Sequence, residues 1–215
     1  MSKLHIFDMD GTLLRGSACL ELSRNLGIFE AVNELEERWA RGELSHMAYW
    51  EACLPLWEGM DDAVIDKTFA STSWLSGIET VWADIADRGE YSAVITQSPQ
   101  FFVDRLLAWG VGSARGAHVT AGVAPDPEKV ITPQDKVPIA LELMKRHGVT
   151  SDECVAYGDS TSDIPLFKVL PRTVAVNGTA ALREIATVAY EGDDLWGAYM
   201  LGRSLLEQDA KAVKQ

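Results

Sequence analysis

Apolar residues recur along this chain in two different rhythms. Residues 4 to 7, LHIF, make a short, mostly apolar run with the length of a buried strand, and it stops abruptly at DMDGT. From residue 17 to residue 70 the apolar positions return every three or four residues instead, with no β-like alternation. This spacing predicts about four helices, ending near Gly27, Gly42, Gly59 and Thr72, with Pro55 kinking or breaking the third. Trp39, Trp50 and Trp57 are placed to give this block a core of its own.

From residue 77 onward short apolar runs alternate with helical spacing. YSAVITQS reads as a buried strand, PQFFVDRLLAWG as a helix, AHVTAGV as a short strand, and PQDKVPIALELMKRHG as a helix ended by Gly148. ECVAYGDS, DIPLFKVL and RTVAVN repeat strand, helix and strand. The alternation predicts an α/β fold: a Rossmann-like, mostly parallel sheet with helices on both faces. Residues 1–15 and 76–215 are expected to form that core, and residues 16–75 a small helical domain inserted after the first strand. The polar end, EQDAKAVKQ, reads as a fraying helical tail.

Composition narrows the partners. With 47% apolar and 24% charged residues, the 215-residue chain has the balance of a globular protein. A formal charge of -13 lacks the basic footprint that nucleic acid or an anionic membrane requires. A small phosphate ester is still compatible, because metal, lysine and backbone N–H groups act locally. Cys19, Cys53 and Cys154 are odd in number and widely spaced, as expected of buried reduced thiols. With no basic and apolar leader and no run of 18 apolar residues, a soluble cytoplasmic protein is expected.

Three apolar runs end in chemically capable residues: LHIF in DMDGT, SAVI in TQS, and CVAY in GDSTSD. In an open parallel sheet, strand carboxyl ends form the ligand-binding edge, so these clusters are expected to meet there. Asp8 and Asp10, two residues apart on extended backbone, face one site. Carboxylates this close repel unless a cation or a shared proton lies between them.

DMDGTLL, Thr96 after SAVI, Lys136, and GDSTSD with Asp159 and Asp163 resemble, in order, the four motifs of the haloacid dehalogenase superfamily. The helical block resembles that superfamily's cap, and the likeness, from residue 4 to about residue 180, is to the phosphoserine phosphatase-like group. The resemblance implies Mg²⁺ held by Asp8, Asp159 and the main-chain carbonyl of Asp10, with Asp163 fixing a metal-bound water or Lys136 from behind. It implies that Asp8 attacks phosphorus and that Asp10 protonates the leaving oxygen, then takes a proton from water. Thr96 and the N–H of Gln97, at a following turn, would hold the phosphoryl oxygens, and Lys136 would neutralise them. Gly11 lets the chain turn beside the phosphate, and the Thr12 hydroxyl is expected to brace the Asp8 loop. Lys136 is preferred to Lys129 because it opens the helix before the Asp159 strand. Ser98, His118 and Ser162 are read as structural.

The substrate is a separate matter. The glutamate and cap arginine that grip phosphoserine in that group fall on Ser17 and near Cys53 here, so a small phosphate monoester other than phosphoserine is expected. Arg15 and Glu21 stand as recognition residues or as solvated surface. A phosphotransferase or mutase with the same aspartyl-phosphate, and a catalytically silent binding module, are the competing readings. Phosphonatase chemistry would need Lys67, the lysine of the insert, as a Schiff base.

Overall fold

A computed structural model describes residues 2–212. The chain opens with β1 (Leu4–Phe7) and passes into α1 (Ala18–Asn25), α2 (Phe29–Ala40), α3 (His46–Cys53) and α4 (Asp62–Ser71). It then runs through α5 (Ile78–Asp87), β2 (Tyr91–Pro99), α6 (Gln100–Val103), β3 (Ala114–Ala117), α7 (Lys136–His147) and β4 (Cys154–Gly158). It closes with α8 (Ile164–Phe167), β5 (Thr173–Val176), α9 (Ala180–Arg183), β6 (Val188–Tyr190) and α10 (Leu195–Ala212).

Among the described residues the strands form one parallel sheet of order β3-β2-β1-β4-β5-β6. The order reverses beside β1, which makes the carboxyl ends of β1, β2 and β4 the natural crevice. Alternation along β1 sorts its side chains. Leu4 and Ile6 join Ala140, Leu143 and Leu166 on one face, while Phe7 joins Val81, Trp82 and Tyr199 on the other. Helices therefore cover both faces, as the strand and helix alternation predicts.

The insert follows its apolar rhythm closely. Gly27, Gly42 and Gly59 follow helical segments with positive φ, and α3 stops at Cys53, where Pro55 sits in a 3-10 turn over Leu54–Trp57. The insert's core, with Leu22, Val32, Trp50 and Trp57, is continuous with the core on the α5 and α10 face of the sheet. Its entry and exit run side by side: Arg15 N–H donates to Ser73 O and Leu75 N–H donates to Leu13 O, each at 2.8 Å.

Several expectations need correction. The third strand is Ala114–Ala117, and the predicted AHVTAGV contributes only its first residue to it. An edge strand reading ARGA carries no apolar rhythm, whereas Val119 is buried from a loop whose His118 N–H donates to Lys129 O at 2.8 Å. The helix predicted over PQFFVDRLLAWG is one α-turn, Gln100–Val103, followed by a 3-10 stretch, Asp104–Trp109. α5 and β6 were not anticipated, and α10 extends well upstream of the expected tail, whose last residues, 213–215, lie outside those described. No helix among the described residues is long and apolar enough to cross a membrane.

Candidate active site

Register brings the three polar clusters to one edge. Phe7 pairs with Val94 on β2 and with Tyr157 on β4, so Asp8 and Asp159, just past the ends of β1 and β4, come level with Thr96 within β2. All three line one cavity of about 410 Å³.

Lys136 enters this edge from the first turn of α7. Its ammonium donates to Asp8 Oδ1 at 2.8 Å and to Asp163 Oδ1 at 2.7 Å, and lies 3.3 Å from Ser162 Oγ. The side chain is 1% exposed. Burial alone would pull its pKa down, but Asp163 and Asp8 outweigh burial and hold it above the ordinary lysine value. Lys129, the competing lysine, is an exposed partner of Asp126.

Asp163 is placed by its own loop. Its Oδ2 accepts from the N–H groups of Asp159, at 3.0 Å, and Ser160, at 3.3 Å, closing a capping box with Ser160. Gly158 permits this approach, because a Cβ there would collide with the Asp163 carboxylate. Gly11, at φ +76°, does the same for Asp159.

The carboxylates outnumber the ammonium. Ligand atoms of Asp8, Asp159 and Asp163 lie within 4.8 Å of one another around a single lysine. Asp159 Oδ1 is buried with no hydrogen-bond partner among the described residues. Burial first, and then Asp163, pushes Asp159 up to about 7; burial and Asp163 likewise raise Asp8 well above the usual carboxylate range. Excess negative charge and an orphaned oxygen are what a divalent cation would relieve, and an all-oxygen donor set suits Mg²⁺. Asp163, with both oxygens engaged, is the member best placed to support Lys136, while Asp8 and Asp159 keep oxygens for a metal.

Asp10 is held apart from this cluster. Its Oδ1 accepts from Ala18 N–H at 2.6 Å, and its Oδ2 accepts from Thr96 Oγ1 at 3.0 Å and Ser98 Oγ at 2.7 Å. Burial raises its pKa against the pull of Ser98, Ala18 and Thr96. Four expectations change here. The Thr96 hydroxyl, assigned to phosphate, is engaged by Asp10. Ser98, read as structural, is a direct partner of Asp10; its position two residues after Thr96, on the same side of a strand, was the signal that could have found it. Gln97 lies within β2, in a register shift between Ile95 and Pro99, and not in a turn. The Thr12 hydroxyl, expected to brace the Asp8 loop, is buried with no hydrogen-bond partner among the described residues.

The insert forms the other side of the cavity. Trp57 belongs to its core, donating to Ser23 Oγ at 2.9 Å, whereas Trp39, Tyr49 and Trp50 line the cavity. Glu36, on α2, lines it too and was missed, since nothing in the sequence sets it apart from Glu30, Glu34 and Glu37 on the same helix. Arg15 pairs with Asp193 and Glu21 with Arg24, and neither lines the cavity. Ser17 lines it; Cys53 is fully buried and does not.

A model of the haloacid dehalogenase-like hydrolases matches residues 6–168. Among curated proteins, a phosphoserine phosphatase of Archaeoglobus fulgidus is 24% identical over 203 residues, 91% of this chain. The chain spans 58% of that relative's length. A phosphoserine phosphatase of Methanocaldococcus jannaschii is 25% identical over 198 residues, covering 90% of this chain and 94% of the relative. A solved structure of a phospho-aspartyl intermediate analogue of phosphoserine phosphatase superposes with a TM-score of 0.77 at 23% identity, over 91% of this chain and 96% of that one. At that identity the likeness is one of fold.

Proposed function

Because this chain belongs to the haloacid dehalogenase-like hydrolase family, we propose that it hydrolyses a small phosphate monoester with Mg²⁺ through a phosphorylated Asp8. One observation carries the reading: Asp8 has one oxygen pinned by Lys136, while Asp10, half-buried and with a raised pKa, lines the same cavity.

The steps follow from these contacts. Asp8 Oδ2, which takes no hydrogen bond among the described residues, attacks phosphorus in line, and the bond from phosphorus to the ester oxygen breaks. Asp10 gives its proton to that departing oxygen; Thr96, Ser98 and Ala18 N–H hold its carboxyl group in place. Water then attacks the acyl phosphate, its proton passes to Asp10, and inorganic phosphate leaves with Asp8 restored. General acid and base action of this kind contributes roughly 10²- to 10⁴-fold. Asp8, Asp159 and the Asp10 carbonyl would hold Mg²⁺, which neutralises the carboxylates and polarises the phosphoryl oxygens when bound. Lys136 orients Asp8 and offsets part of its negative charge, and Gly11 and Gln97 line the phosphoryl end.

Residues 16–75 act as a cap on the core of residues 1–15 and 76–215. Phosphoserine is not the substrate in this reading, since no Lys or Arg lines the cavity to meet its carboxylate. Hydrolysis of p-nitrophenyl phosphate is expected with Mg²⁺, and to be abolished by EDTA and by Asp8→Asn. Turnover surviving Asp8→Asn would overturn the mechanism.

A further inference from the structure

Glu36 reaches from α2 to the start of α1, on the insert side of the cavity. Its Oε1 accepts from Ser17 Oγ at 2.5 Å and from Tyr49 OH at 3.4 Å, while Oε2 has no partner among the described residues. Ala18, next to Ser17, donates to Asp10, so Glu36 and the residue that protonates the leaving oxygen flank the same helix start.

The surroundings of this carboxylate are unusual. Trp39, Tyr49 and Trp50 supply aromatic walls. His46, the one imidazole in the lining, is held neutral: Nε2 accepts from Trp50 Nε1 at 3.1 Å, and burial pulls its pKa down. No Lys or Arg lines the cavity, and no salt bridge reaches Glu36 among the described residues. Burial, with Asp10 adding to it, pushes Glu36 up to about 7. A sequestered carboxylate without a counter-cation is costly, and the hydroxyls of Ser17 and Tyr49 supply hydrogen bonds but no charge. A cation in the cavity would supply it, and aromatic faces favour the same kind of ligand.

We propose that Glu36, with the walls of Trp39, Tyr49 and Trp50, is the subsite for a positively charged amine on the leaving group. The substrate is then the phosphate monoester of an amino alcohol that lacks a carboxylate. The proposal rests on the hydrolase reading for the phosphoryl end and deepens it at the leaving-group end. Glu36 is a specificity residue: it touches the departing alcohol and not the reacting phosphorus.

Matched esters test it. With Mg²⁺, choline phosphate is compared with the uncharged isostere in which carbon replaces nitrogen, and aminoethyl phosphate with propyl phosphate. In at least one pair the wild-type kcat/KM is expected to favour the cationic ester by about tenfold or more, the worth of one charge-assisted contact. Glu36→Gln, which keeps an acceptor for Ser17 and removes the charge, is expected to bring that ratio to within about twofold of unity. Turnover of both members of each pair at equal efficiency overturns the subsite and leaves the hydrolase reading intact. A preference undiminished in Glu36→Gln also overturns it. If none of the esters nor p-nitrophenyl phosphate is hydrolysed, the hydrolase reading fails, and calorimetry decides the subsite alone. Tighter binding of a cationic ester than of its isostere, by about tenfold, upholds it; equal or absent binding overturns it.

Discussion

Lys136 occupies the first turn of α7, where the helix dipole disfavours a cation, and it does so almost wholly buried. The offset comes from Asp8 and Asp163, at 2.8 and 2.7 Å. Removing the lysine leaves two buried carboxylates facing each other, a loss of about 3–5 kcal/mol. Lys136→Met is therefore expected to lower the melting temperature by roughly 6–20 °C, at about 2–4 °C per kcal/mol for a chain of this size. Thermal unfolding monitored by circular dichroism checks it, and in the same melts saturating Mg²⁺ should recover part of the loss by offsetting the exposed charge. At this scale the motif residues were legible because carboxylates at strand ends have few other uses. Thr96 was only partly legible: its position was evident, but its partner, Asp10, was chosen by a rotamer that sequence does not specify.

α3 is the element that joins fold to specificity. It is only eight residues long, yet it carries His46, Tyr49 and Trp50 to the cavity. A helix this short depends on its ends and its packing. Ser45 supplies the amino-terminal end, accepting from Ala48 N–H at 3.1 Å. Ser45→Ala is expected to cost about 0.5–2 kcal/mol, read as faster amide hydrogen exchange in α3, with KM raised more than kcat is lowered because Ser45 itself touches no reacting group. The insert helices were legible because each ends at a residue with a physical reason to end it. Strand Ala114–Ala117 was not, because an edge strand with little to bury writes no apolar rhythm.

Across the whole molecule, a second polar network ties the opening strand to the closing helix. His5 is fully buried; its Nδ1 lies 3.0 Å from Tyr157 OH, and its Nε2 lies 3.2 Å from Glu90, which also accepts from Arg203 on α10 at 2.7 Å. Burial pulls the His5 pKa below its ordinary 6.5, outweighing Glu90. Burial alone would raise Glu90, but His5 and Arg203 lower it. The signs agree. Below about pH 6.5 the unfolded chain takes up a proton that native His5 refuses, so stability falls with acidification from there toward the lowered native value. Depressed Glu90 loses its stabilisation as the pH falls further. The raised carboxylates of the cavity gain stability over the same range, so the expectation lies in the comparison: between pH 7 and 5 the melting temperature of the wild type should decline relative to that of His5→Gln, a difference that isolates His5 from those carboxylates. A difference that stays constant with pH would refute this assignment.

Taken by itself, the amino-acid sequence determined the α/β architecture, the helical insert after the first strand and the convergence of Asp8, Thr96 and Asp159 on one edge. Each follows from short-range physics: periodicity reports which face is buried, and parallel strands present their carboxyl ends together. Tertiary structure alone decided that Ser98 and Thr96 serve Asp10, that the Thr12 hydroxyl bonds to nothing among the described residues, and that Glu36 meets Ser17 across 19 positions of the chain. Those outcomes depend on which helix face packs toward the sheet and which rotamer fits beside it. Such choices are settled by many weak contacts acting together, and no local pattern along the chain records them.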